Sequence, residues 1–135
     1  MNKKGVTLIE LIIVIVIIGI ISAFAVPAVS RYLTTAQKSA VLRDAQEFRS
    51  AANSLCIEES CATDDVYDQD DLASLIENFD TGKYDTMTAT KTADGWTIVL
   101  DVDPTNGTGT SAYEYVTEPA VDPIDATVDN VSDAE

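Results

Sequence analysis

From Leu11 to Ser30 the chain holds twenty consecutive residues without a charge, and only Ser22 and Ser30 among them carry a hydroxyl. Wound as a helix at about 1.5 Å per residue, this run is roughly 30 Å long, the thickness of a bilayer core. It is long enough to span a membrane. Two lysines, Lys3 and Lys4, stand just upstream of Gly5, and one acid, Glu10, stands at the near edge of the run. The next charge is Arg31.

Glu10 is the residue that needs explaining. A carboxylate at the end of a membrane span is costly without a partner, which makes it a candidate functional residue. Cleavage after Gly5 would create an amino group on Val6, and a helix N-terminus attracts negative charge. Two pairings then satisfy Glu10: the Val6 amine of its own chain, or that of the next copy. The second neutralises both groups only on assembly and sets the axial register between copies.

Lys4-Gly5-Val6-Thr7-Leu8-Ile9-Glu10, followed by the apolar run with Gly19 and Pro27, resembles the class III signal of type IV pilins and of the pseudopilins of type II secretion. The resemblance covers residues 3–32. It implies that a prepilin peptidase cuts after Gly5 and methylates Val6, that Glu10 is the register residue, and that Gly19 and Pro27 loosen or kink the helix. Val6 departs from the phenylalanine usual there. A secretory signal is the competing reading, with Ala23-Phe24-Ala25 as its small-residue cleavage site. A glutamate between the lysines and the apolar core fits that reading poorly. The resemblance further implies a membrane-anchored precursor in the inner or cytoplasmic membrane and an assembly platform there. It implies a homo-oligomeric helical filament at the cell surface.

The expected organisation is a leader over residues 1–5, a spanning or filament-core helix over 6–30, a periplasmic or extracellular body over 31–117 and an acidic tail over 118–135. The fold class is α+β: a long N-terminal helix, to about Leu55, packed on a small three-stranded antiparallel sheet in the pilin manner. Pro27 removes a backbone donor inside that helix, and Gly19 adds a second weak point. From Arg31 the helix turns amphipathic, with Leu33, Ala36 or Gln37, Ala40–Val41, Ala45, Phe48, Ala52 and Leu55 at three- and four-residue steps. Glu58 to Gln69 reads as loop. Asp70 to Phe79 reads as a short helix with its aspartates at the N-terminal end. Tyr84 to Thr90 and Trp96 to Val102 read as strands joined by the hairpin signal Ala93-Asp94-Gly95. Ser111 to Thr117 reads as the third strand of the meander. The tail, without a basic residue, is expected to be flexible or to run as an extended strap.

Charge is distributed unevenly. Residues 1–50 carry a net +3 and residues 51–135 a net −18, which together give the −15 of the whole chain. A body this acidic repels nucleic acid and anionic lipid, so no direct nucleic-acid partner is expected. The chain has no histidine, and its serines therefore lack the commonest catalytic partner. No catalytic set is visible, so an enzyme is the weakest reading, and no cofactor is expected apart from the calcium considered below.

Cys56 and Cys61 lie five residues apart. In a continuous helix their Cα atoms would be about 8 to 9 Å apart, too far for a disulfide. The body is expected to lie outside the cytoplasm, where disulfides persist, so a Cys56–Cys61 disulfide is expected, with the helix ending or distorting near Cys56; two free thiols in a reducing compartment are the alternative. Asp101, Asp103 and Asn106 form an oxygen-rich cluster at a turn, the kind of ligand set calcium takes. Major pseudopilins carry calcium in this region, so a calcium site there would favour the secretion pseudopilus. A Cys-closed surface loop and an acidic tail lean instead to a pilus subunit, which is the first reading. The alternatives kept beside it are the secretion or DNA-uptake pseudopilin and, from another class, a monomeric membrane-anchored binding module. Asn106-Gly107-Thr108 and Asn130-Val131-Ser132 match the N-glycosylation triplet. Phe24, Tyr32 and Phe48 lie along the long helix, where packing is the common role of aromatic residues.

Overall fold

The computed structural model describes residues 5–103, 109–116 and 121–134. It divides into two compact units, residues 1–35 and 36–135. The helix α1, Leu8–Glu59, contributes to both.

In the first unit α1 is apolar all round and every described residue is exposed. It is the one described helix long and apolar enough to cross a membrane. The helix continues through Pro27 without a break. Two hydroxyls return to the backbone four residues earlier: Ser22 Oγ donates to the Ile18 carbonyl at 2.7 Å and Ser30 Oγ to that of Val26 at 3.1 Å. This is how a hydroxyl in an apolar helix satisfies its own donor.

In the second unit α1 presents Val41, Ala45, Phe48, Ala51 and Ala52 to a single core. The facing layer is an antiparallel sheet of β1 (Val66–Asp68), β2 (Thr86–Lys91) and β3 (Trp96–Asp101), in that order. Met87 sits opposite Leu100 and Ala89 opposite Ile98, and all four are buried. Alternate residues of β2 and β3 thus supply one apolar face, as a half-buried sheet requires. A four-residue loop joins β2 to β3, with Thr92 N donating to the Gly95 carbonyl at 3.0 Å.

The sheet has the expected number of strands but a different membership. Its third strand is β1, within the stretch expected to be loop. Only Tyr67 of β1 is buried, and the acids around it hide any alternation in the sequence. The strand is set by long-range pairing: Asp64 N donates to the Lys91 carbonyl at 2.7 Å and Lys91 N to that of Asp65 at 2.9 Å. The segment expected as the third strand supplies only β4, Tyr113–Glu114, and a single bridge from Tyr115 to Leu100.

The helix expected over 70–79 is also shorter. Only Gln69–Leu72 forms a turn of helix, α2, capped by Asp68, whose Oδ1 accepts from Asp70 N and Asp71 N. Leu72, Ile76 and Phe79 still reach the core, but by way of turns, with Asn78 at φ 60°. So short a segment gains too little from burial to offset helix nucleation. The long helix, by contrast, runs four residues past the expected Leu55.

Residues 121–134 take the strap course. β5 (Ser132–Asp133) pairs antiparallel with β4, and Pro123 and Val131 are buried. Three side chains of α1 hold the strap. Lys38 Nζ donates to the Val131 carbonyl at 3.0 Å, Gln46 Nε2 to that of Pro123 at 3.0 Å, and Arg49 Nε to Asp122 Oδ1 at 2.7 Å.

Two buried tyrosines tie loops to this core. Tyr115 donates to the Val121 carbonyl at 2.6 Å, and Tyr84 donates to Asp44 Oδ2 at 2.8 Å. Burial, then the charge of Asp122, pushes Tyr115 up to about 12; burial, then the bond to Asp44, pushes Tyr84 up as well. Each folded value lies above the ordinary 10.0. The unfolded chain therefore ionises first, and the contribution is complete below about pH 10 and lost as pH rises through the folded values. We expect stability to fall between pH 10 and 12, with the last of the phenolate absorbance, that of the buried tyrosines, appearing together with the loss of folded Trp96 fluorescence. Full phenolate titration near the ordinary value, while the fold persists, would contradict this.

Candidate processing and assembly site

Gly5, Val6 and Thr7 precede α1 in non-helical backbone. Val6 is 76% exposed, and Gly5 before it is exposed as well. Lys3 and Lys4 lie outside the described residues.

Thr7 is the residue that sequence reasoning left without a role. Its backbone N donates to Glu10 Oε2 at 2.8 Å, its Oγ1 donates to the same oxygen at 2.7 Å, and Glu10 N reaches back to Thr7 Oγ1 at 3.4 Å. Leu11 N closes the first helical turn on the Thr7 carbonyl at 3.2 Å. This is a capping box, in which threonine and glutamate three apart satisfy each other's free backbone donors. The signal was present in the sequence as Thr7-Leu8-Ile9-Glu10. The carboxylate of Glu10 therefore has donors within its own chain while it caps α1. Val6, Leu11, Ile13 and Val14 surround it with apolar surface.

Gly19 has open space where a side chain would be, and Pro27 leaves the Ala23 carbonyl without its i+4 donor. Nothing in the first unit covers the apolar surface: Ile9 to Val29 contribute large side chains that are each about half exposed or more. Phe24 and Tyr32 are among the exposed residues, whereas Phe48 is buried against Phe79, with ring centroids 6.1 Å apart.

Cys56 and Cys61 are joined by a disulfide with Cα atoms 4.8 Å apart. The helix ends at Glu59, Ser60 takes φ 57° and Cys61 N donates to the Cys56 carbonyl at 3.0 Å. The left-handed residue turns the chain back far enough for the two sulfurs to meet.

Asp101 lies in β3 and Asp103 just beyond it, while Asn106 falls outside the described residues. Among the described residues no three His, Cys, Asp or Glu side chains gather in a way that could hold a metal. The carboxylate that organises this loop is Asp85, which sequence reasoning did not single out. It accepts from Asp103 N and from Gly109 N, each at 2.8 Å. Asn130, in the other glycosylation triplet, accepts from Thr127 N at 2.9 Å.

A capped apolar helix, continued by an amphipathic half that carries a small sheet, defines an α+β subunit built on one long helix. A family model described as the prokaryotic N-terminal methylation motif matches residues 1–26. A "Fimbrial protein" of Dichelobacter nodosus is 39% identical over 118 residues, covering 82% of this chain and 71% of the relative. A "Type IV major fimbrial protein FimA" of the same organism is 39% identical over 84 residues, covering 61% of this chain and 49% of the relative. The chain thus spans about half the length of that second relative. No solved structure gives a significant match. The chain belongs to the type IV pilin family. It is a pilin, a structural subunit and not an enzyme.

Proposed function

We propose that the chain is made as a membrane-anchored precursor, cut between Gly5 and Val6 by a prepilin peptidase that methylates the new amine, and assembled with identical copies into a type IV pilus at the cell surface. The observation that carries this reading is the extent of the match to a fimbrial protein. It runs over 118 residues, far beyond the 26 matched by the methylation motif. The exposure of Gly5 and Val6 and the uncovered apolar helix support it. In the bilayer, lipid covers that helix. In the fibre, neighbouring helices do, with a driving term of about 25 cal/mol per Å² of apolar area reduced by ordering costs.

Residues 1–5 are the leader and 6–30 the shared anchor and fibre core. Glu10 begins on the donors of Thr7. After cleavage it pairs with the Val6 amine of a neighbour, which fixes register. Gly19 and Pro27 give the helix room to adjust as it leaves the bilayer for the fibre, and an inner-membrane platform performs the transfer.

Intact-mass spectrometry of protein sheared from cells tests this reading. The expected species begins at Val6, is heavier than the bare chain by the CH2 that one N-methylation adds, and lacks the two thiol hydrogens of Cys56 and Cys61. A chain retaining Met1 in that fraction would overturn the processing scheme. Absence of the chain from any sheared fibre would favour the anchored binding module.

A further inference from the structure

A groove of about 480 Å³ runs along α1 beside residues 75–77. Ala51 and the 49% exposed Leu75 form its apolar floor, Ser50 and Ser54 leave room above it, and Glu47 and Glu77 stand at its rim. The two carboxylates differ. Glu47 accepts from Arg43 Nε at 3.1 Å, whereas Glu77 is exposed and has no hydrogen bond or ion pair among the described residues. The neighbouring hollow, which shares both glutamates, adds Asp44 and Asp80 together with two cations, Arg43 and Lys83, which are already held by Glu47 and Asp44. An apolar floor with one uncompensated carboxylate, Glu77, at its rim fits a segment carrying one cation and large apolar side chains.

The chain contains such a segment. Among the described residues, Lys38 is held by the Val131 carbonyl, Arg43 by Glu47, Arg49 by Asp122 and Lys83 by Asp44. Lys91 lies over the Trp96 ring. Arg31 is the one described cation whose side chain has no such partner. It is followed by Tyr32, 74% exposed, and Leu33, 54% exposed. In a membrane-anchored precursor Arg31 closes the far end of the apolar run, where a lipid phosphate can pair with it. Extraction into a fibre removes that phosphate and leaves the guanidinium without an anion.

We propose that Arg31-Tyr32-Leu33 of one copy docks into this groove of another, with Arg31 on Glu77 and the two apolar side chains against Ala51 and Leu75. This rests on the fibre reading above and adds a lateral contact distinct from the Glu10 register pair.

The test uses the full chain in cells that assemble it. Arg31→Glu and Glu77→Arg are each expected to lower the yield of sheared fibre about tenfold by placing like charges together, and the double reversal to restore it. Because a change at position 31 can disturb anchoring, a second variant supplies a direct readout. In Arg31→Lys fibres, a carbodiimide is expected to condense the new amine with the Glu77 carboxylate, giving a dimer-sized species whose linked peptides are identified by mass. Normal fibres from both reversals, failure of the double reversal to restore them, or a link to a different protein overturns the docking and leaves the fibre reading standing. Wild-type cells that yield no fibre containing this chain overturn the fibre reading itself.

Discussion

Glu10→Ala is expected to leave the precursor made and inserted while fibres disappear from the sheared fraction. The anchor keeps its twenty uncharged residues, and removing a carboxylate from its edge makes insertion easier. Assembly loses the anion that draws the neighbour's amine to one axial position. A charged amine then enters an apolar core without a partner, which such a core tolerates poorly. The measurement is electron microscopy of sheared material beside an immunoblot of the membrane fraction. Normal fibres from Glu10→Ala would remove the proposed reason for register. Loss of the protein from the membrane would instead make Glu10 a residue of insertion or stability.

The capping box supplies a control for that experiment. Thr7→Val removes the hydroxyl that donates to Glu10 at 2.7 Å and leaves the carboxylate in place. A lost helix cap costs about 1 kcal/mol, so faster amide exchange in the first turn of α1 is expected in micelles. Fibres should persist, because the neighbour's amine still has its acid. If Thr7→Val abolishes fibres as completely as Glu10→Ala, the pair acts as one unit and the amine is not the only partner that matters.

How much of this could be read in advance followed from where the determining contacts lie. The spanning helix, Glu10 and the β2–β3 hairpin are local patterns: an uncharged run, one misplaced acid, and alternation around Ala93-Asp94-Gly95. The capping box is local too, written in Thr7-Leu8-Ile9-Glu10, but the same glutamate also fits a pairing with a cation, and sequence does not separate the two roles. β1 was not legible, because a three-residue strand with one buried tyrosine carries no periodicity and exists through its pairing with β2. Nor was the role of Asp85, whose two backbone donors lie 18 and 24 residues away. In a body with twenty acids among residues 51–135, composition makes every carboxylate look like a solvated surface group. Only the fold separates Asp85 and Asp122 from the rest.

Asp122 is where that distinction has its largest effect on stability. Its Oδ1 accepts from Arg49 Nε at 2.7 Å and from Ile124 N at 3.1 Å, and its Oδ2 accepts from Trp96 N at 2.8 Å. One carboxylate thereby joins the strap, α1 and the start of β3. A side chain at Gly95 would run into Oδ2, so the hairpin loop is shaped around the same group. In Asp122→Ala, Arg49 and the Trp96 amide lose their acceptor together. Breaking a fully buried pair from one side costs about 3–5 kcal/mol. Here the side chains of Arg49 and Asp122 retain 24% and 13% exposure, and water takes over part of the lost bonding, so a loss of about 2 kcal/mol is expected. Trp96 is the single tryptophan, and its fluorescence during denaturant unfolding of the full chain in micelles reports the change directly. Asp122→Asn, which keeps an acceptor oxygen for the Trp96 amide, should lose less. Arg49→Ala combined with Asp122→Ala should lose less than the two single losses added, as partners in one contact do. A midpoint for Asp122→Ala equal to wild type would mean that the bonds from Lys38 and Gln46, the burial of Pro123 and Val131 and the β4–β5 pairing suffice to hold the strap, and that the ion pair beneath it is incidental.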